Sequence, residues 1–180
     1  TYYKKMKLVS YLKNGHEQLA LLVNGLLYDT DSIHPDLPIS MAMFLNYWDD
    51  VLPIAKAAEK RIKEGMGKTA LATPFAEAEV LAPVPNPTSC RDGYAFRQHV
   101  ESARRNRGAQ MIPEFDQYPI FYFTNHNSIQ GPGDIWCMPD HFRQLDFELE
   151  AAIVVGKKGR NIKAAEADRY IAGFMIMNDM

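Results

Sequence analysis

The chain has 180 residues, 47% of them hydrophobic and 23% charged. That is enough for one folded domain or somewhat more, and it excludes a disordered chain. Twenty Lys and Arg stand against 22 Asp and Glu, for a net charge of -2, so nothing in the charge points to nucleic acid or an acidic membrane as partner.

No apolar run approaches the ~18 residues of a membrane span. The opening TYYKKMKLVSYL has no signal-peptide core. Met6 reads as the initiator and residues 1–5 as an appended remnant. Cys90 and Cys137 are far apart and outside any CxxC pattern, which removes zinc-ribbon and thioredoxin readings. Two reduced thiols in a cytoplasmic protein are expected.

Residues 7–30 read as strands: KLVSYL, a turn at Lys13-Asn14-Gly15, then LALLV meeting LLYDT across Asn24-Gly25. Asn-Gly between apolar runs is a hairpin signal because both residues accept positive φ. Pro35 and Pro38 mark a loop, and Ser40 is a candidate N-cap. Phe44, Tyr47, Trp48, Val51, Ala55, Ala58 and Ile62 then recur at helical spacing. They predict an amphipathic helix that buries its aromatic stripe, is kinked or restarted at Pro53, and ends at Gly65-Met66-Gly67. Residues 68–78 are weakly patterned. Pro83, Pro85 and Pro87 enforce an extended segment, so the domain junction is placed there, giving domains 6–81 and 82–180. Beyond it, a helix is expected from Tyr94 to about Arg105, a short strand at PIFYF, and loop over 124–140. A strand follows at LDFELEAAIVVG, a helix at IKAAEADRYIA and a buried strand at GFMIMNDM.

Asp146, Glu148 and Glu150 alternate, so on a strand they share one face. Carboxylates crowded in this way suit a hard divalent cation, and a solvated face explains the triplet equally well. Asp179 stands where an apolar strand emerges, as a site residue or a turn former. Asp92 is a ligand candidate or an N-cap. His99 is a candidate general base, its ordinary pKa suiting that work near neutral pH, or simply a surface histidine. Arg107 and its neighbours fit an anionic substrate or a solvated helix end.

Taken together, LAPVPNPTSCRD running into D-x-Y-x-x-R-Q-H, the E-x-E strand LDFELEAAIVVG and the MNDM strand resemble the fumarylacetoacetate hydrolase family, in its fumarylacetoacetase-like branch. The resemblance is strong over roughly residues 80–180. It implies an α+β, β-rich fold: a small N-terminal α+β domain, then the first part of a mixed β-sheet or β-roll catalytic domain. It implies Mg²⁺ or Ca²⁺, with Mn²⁺ an alternative, held by Glu148, Glu150 and Asp179 with Asp92 as fourth ligand. His99 would activate water, and Tyr94, Arg107 and Tyr122 would contact substrate. The implied activity is that of a hydrolase cleaving a C–C bond in a 1,3-diketo acid of the fumarylacetoacetate or acylpyruvate type, through a metal-stabilised enolate. Aromatic amino acid catabolism and a cytoplasmic homodimer follow from the same likeness. Relatives with this metal site decarboxylate, isomerise or hydrate related keto acids, and a catalytically silent member is a further alternative. A carboxylate-metal nuclease is disfavoured by the negative charge. Family members continue well past the position of Asp179, so the 180 residues are expected to be a fragment, poorly soluble and inactive in isolation.

Overall fold

The computed structural model describes residues 6–66, 71–138 and 143–180. The five residues ahead of Met6, Gly67, Pro139 and His141 lie outside them. The fold is mixed α/β with antiparallel sheets, in two compact units: Thr1–Pro85 with Gln130–Met180, and Asn86–Ile129. No helix among the described residues is long and apolar enough to cross a membrane.

In the first unit, β1 (Leu8–Lys13), β2 (His16–Val23) and β3 (Leu26–Asp29) form an antiparallel meander. Both connections are the expected two-residue turns, with Asn14, Gly15, Asn24 and Gly25 all at positive φ. β4 (Ala72–Pro74) and β5 (Glu79–Val80) extend the sheet to the order β4-β3-β2-β1-β5. β4 is an edge strand, which is why it tolerates Pro74 and why weak patterning hid it.

After the short α1 (Thr30–Ile33), Ser40 caps α2 (Met41–Asn46), its hydroxyl accepting from the Met43 N–H. α3 (Trp48–Lys63) follows directly. The break therefore falls at Tyr47, ahead of Pro53, which sits inside α3 and deprives it of only one backbone donor. Asp49 and Asp50 in the first turn and Lys60, Arg61 and Lys63 in the last complement the helix dipole. Met66 N–H to Arg61 O and Gly65 N–H to Ile62 O, with Gly65 at φ +80°, close the helix end as a Schellman motif. Phe44, Val51, Ala55 and Ala58 are buried as the stripe required, against Leu19, Leu21 and Val23 of β2, while Tyr47 is exposed.

The other face of the sheet buries Tyr11 and Asp29. The Tyr11 hydroxyl donates to one Asp29 oxygen at 2.5 Å, and Lys13 pairs with the other. Burial, and then the bond to Asp29, push the Tyr11 phenol up to about 12. Later in the chain, β8 (Glu148–Val155) and β9 (Ile171–Asp179) form an antiparallel ribbon with a bulge at Val154/Val155. The ribbon is tied into the same unit. Val154 packs on the helical core, Lys157 pairs with Asp49, and Gly156 lies so close to Trp48 that an added Cβ would meet its ring at 3.3 Å. Two expectations change here. The helix expected over IKAAEADRYIA is shorter, a 3₁₀ helix over Ala164–Tyr170, and β9 is only partly buried, since Phe174 and Ile176 are exposed.

The Tyr11–Asp29 bond should be visible in alkaline unfolding. The folded state keeps a proton that the unfolded chain releases above the ordinary tyrosine pKa of 10. This stabilisation is therefore complete below pH 10 and lost as pH rises through about 12. Melting temperature against pH should fall less steeply over that window in Tyr11→Phe than in wild type. At neutral pH the variant should be less stable by about 1–2 kcal/mol, because the buried carboxylate loses a donor.

Candidate functional site

An antiparallel ribbon turns sequence spacing into a face. Directly paired residues project to the same side, and alternate residues along each strand repeat it. Glu148 pairs with Asp179 and Glu150 with Met177. Glu148, Glu150 and Asp179 thus share one face of β8–β9, and the opposite face carries exposed Leu149, Ile153, Phe174 and Ile176. Glu150 and Asp179, both half-buried, offer carboxylate oxygens within 4.8 Å of each other. Asp146, the first member of the sequence triplet, lies outside β8, and its carboxylate accepts from the Phe147 N–H at 2.9 Å. That local bond leads it away from the ribbon pattern, so the triplet reduces to the two glutamates.

In the second unit, β6 (Cys90–Gly93) pairs antiparallel with β7 (Phe121–Thr124), placing Cys90 opposite Thr124 and Asp92 opposite Tyr122. Asp92 is therefore a strand residue. It does not cap the following α4 (Arg97–Asn106), whose N-cap position is Phe96 with no side-chain cap. Asp92 is 8% exposed and accepts a hydrogen bond from the Tyr122 hydroxyl, so its burial is matched by a donor. β6 escaped the sequence reading because Arg91, Asp92 and Gly93 carry no strand propensity.

His99 is exposed on α4, next in the chain to buried Val100. The Tyr94 ring meets its imidazole edge-on, with centroids 5.7 Å apart. The helix starts at Arg97, three residues later than its pattern suggested. It is fastened by Arg97, which pairs with Glu101 one turn on and with Asp116, and also lies over the Phe115 ring. Arg107 is exposed just past the last turn of α4. The second unit thus holds two sets of sequence-predicted residues, Asp92 with Tyr122 and Tyr94 with His99. Arg107 stands by itself at the helix end.

Half-buried Glu150 and Asp179 on one ribbon face have the chemistry of a hard-cation site, with oxygen donors, negative charge and close spacing, and Glu148 on the same face is exposed.

The sequence profile described as fumarylacetoacetate (FAA) hydrolase C-terminal matches residues 88–180. A mitochondrial oxaloacetate tautomerase of Rattus norvegicus is 28% identical over 98% of this chain and 53% of its own length. A human one is 29% identical over the same shares. A fumarylacetoacetate hydrolase domain-containing protein of Dictyostelium discoideum is 27% identical over 97% of this chain and 54% of its own. The chain spans about half the length of the curated relatives it matches. Two solved structures share the fold. The fumarylacetoacetate hydrolase of Exiguobacterium antarcticum has a TM-score of 0.60 at 18% identity, over 97% of this chain and 56% of that one. Maleylpyruvate hydrolase of Sphingobium sp. SYK-6, in complex with manganese(II) and pyruvate, has a TM-score of 0.61 at 15% identity, over 96% and 58%.

Tyr122→Phe should lower stability by about 1.5–3 kcal/mol, the range for a hydrogen bond to a charged group, as measured by denaturant unfolding. Combining it with Asp92→Asn should cost less than the sum of the two single changes. Strict additivity would mean that the hydroxyl does not serve this carboxylate.

Proposed function

The chain belongs to the fumarylacetoacetate hydrolase family, and we propose that it carries the metal-binding carboxylates of an enzyme acting on small oxo acids. The observation that carries this reading is the register of β8 and β9, with Glu148 opposite Asp179 and Glu150 on the same face. In the proposal Glu148, Glu150 and Asp179 hold the cation and Asp92 is the fourth ligand. Mg²⁺, Ca²⁺ and Mn²⁺ all suit oxygen donors, and the manganese of the Sphingobium hydrolase supports including the last.

When bound, a divalent cation supplies Lewis acidity, drawing electron density from the carbonyl oxygens of the oxo acid. His99 is the base of the proposal. In hydrolysis it takes a proton from water, and the water oxygen attacks a carbonyl carbon. The C–C bond to the neighbouring carbon breaks, and that carbon receives the proton back from the imidazole. The Tyr94 ring packs edge-on against the imidazole. Tyr94, Arg107 and Tyr122 are the proposed contacts to the substrate's oxygens, Arg107 supplying the fork that suits a carboxylate.

Cleavage of a 1,3-diketo acid makes the fullest use of His99. A second reading, tautomerisation of an oxo diacid such as oxaloacetate, is favoured by the names of the sequence relatives. There His99 removes a proton from the carbon between two carbonyls, and a proton is added at oxygen. Both readings use the same carboxylates and base.

Full-length protein should be assayed with Mg²⁺, Mn²⁺ and Ca²⁺ on an acylpyruvate and on oxaloacetate. Turnover should depend on the cation and disappear with a chelator, and His99→Ala should be slower by ~10²–10⁴-fold. Release of two acids from the acylpyruvate supports hydrolysis. Enol–keto exchange of oxaloacetate without loss of carbon supports the second reading. Absence of any cation-dependent turnover would overturn both.

A further inference from the structure

Tyr47 belongs by its spacing to the apolar stripe, yet it is 56% exposed, and Met43 and Ile39 are 47% and 48% exposed. Helical hydrogen bonding runs through the α2–α3 junction, where the N–H groups of Asp50 and Val51 both donate to Tyr47 O. Met43, Tyr47, Val51 and Ile54 therefore follow one another along one side of the helical pair. With the loop over 35–39 they line an open groove of about 640 Å³. The loop is fastened at both ends. Leu37 N–H donates to His34 O at 3.1 Å, Leu19 N–H to Ile39 O at 2.7 Å, and the Thr30 hydroxyl to Pro38 O. The groove is thus preformed, and a ligand need not order it.

Its rim carries charge of one sign. Asp31 of α1, Asp36 of the loop and Asp50 of α3 line it and are exposed, and no Lys or Arg lines it among the described residues. Asp31 accepts from the Gln18 amide at 3.1 Å, and Asp36 stands 3.9 Å from the His34 imidazole. We propose that this groove docks a basic amphipathic peptide segment of another protein. Its apolar side chains lie on Ile39, Met43 and Tyr47, and its Lys or Arg side chains meet the three aspartates. Exposed apolar side chains grouped within an acidic rim suit such a partner, the floor giving affinity and the rim charge selecting the partner. The unbranched Met43 side chain adapts to the shape laid on it. The three carboxylates come from three separate elements, so a segment with several spaced cations engages all of them. The groove shares no residue with the oxo-acid chemistry proposed above.

The test titrates three labelled peptides into full-length protein by fluorescence anisotropy: one of Lys and Leu, one of Lys and Ser, and one of Glu and Leu. The Lys–Leu peptide should bind about tenfold or more tighter than the other two, and less tightly as salt rises. Asp31→Asn, Asp36→Asn and Asp50→Asn combined should weaken it about tenfold. A variant matched in charge but altered outside the groove, Glu77→Gln with Glu166→Gln and Asp168→Asn, should bind as wild type. Melting temperatures are recorded alongside. Should the triple aspartate variant melt lower, Met43→Ser, changed at an exposed side chain, must still weaken the Lys–Leu peptide several-fold. Equal binding of the Lys–Leu and Lys–Ser peptides overturns the proposal, as does an equal loss in the charge-matched variant, because bulk charge is then the cause. Wild type that binds none of the peptides overturns it too. So does a wild-type dimer that sedimentation shows to be split by Met43→Lys, since the occupant is then a second copy of the chain.

Discussion

Glu148 faces Asp179 directly across an antiparallel ribbon, and the rest of the site depends on that pairing. Like charges opposite each other oppose strand pairing. With oxygens within 4.8 Å, the Glu150 and Asp179 carboxylates repel by on the order of 3 kcal/mol at an effective dielectric near 20, before solvent screening reduces it. A ribbon that holds such groups together needs a firm anchor. The anchor is visible. Apolar Val154 packs into the helical core, Gly156 lies against Trp48 and Lys157 pairs with Asp49. A divalent cation among oxygen donors is the counter-charge proposed.

The anchoring also ties the first described residues, 6–66, to the ribbon that carries the candidate site. The β1–β2–β3 meander and α3 form one packed layer pair, and Trp48, which touches Phe44 edge-on, is where the later ribbon attaches. In the second unit, Asp92 is held by Tyr122, and Tyr94 sits against His99. In each pair an aromatic side chain contacts a polar one, by a hydrogen bond in the first case and edge-on in the second.

Where local chemistry decides structure, the sequence was legible. Asn-Gly pairs require positive φ, so both hairpins could be read from four residues. Ser40 could be read as a cap because its hydroxyl answers a helical N–H. The glutamates were legible because alternation is a strand property. Legibility failed where tertiary pairing decides. β4 and β6 exist because β3 and β7 accept them as partners, not because Ala72–Pro74 or Cys90–Gly93 favour strands. Ala164–Tyr170 has helical composition but is wound as 3₁₀, an adjustment that a periodicity count cannot register. Asp146 continued the alternating pattern on paper, yet its carboxylate bonds the next backbone N–H.

The central claim is that the shared face of β8 and β9 is a cation site. Calorimetric titration of Mn²⁺ into the full chain, with chelator-treated protein, tests it most directly. Wild type should bind one ion saturably. Glu150→Gln and Asp179→Asn should each weaken binding by tenfold or more, while Asp146→Asn, whose carboxylate lies outside the ribbon, should bind as wild type. Equal Mn²⁺ affinity in wild type, Glu150→Gln and Asp179→Asn would contradict the account.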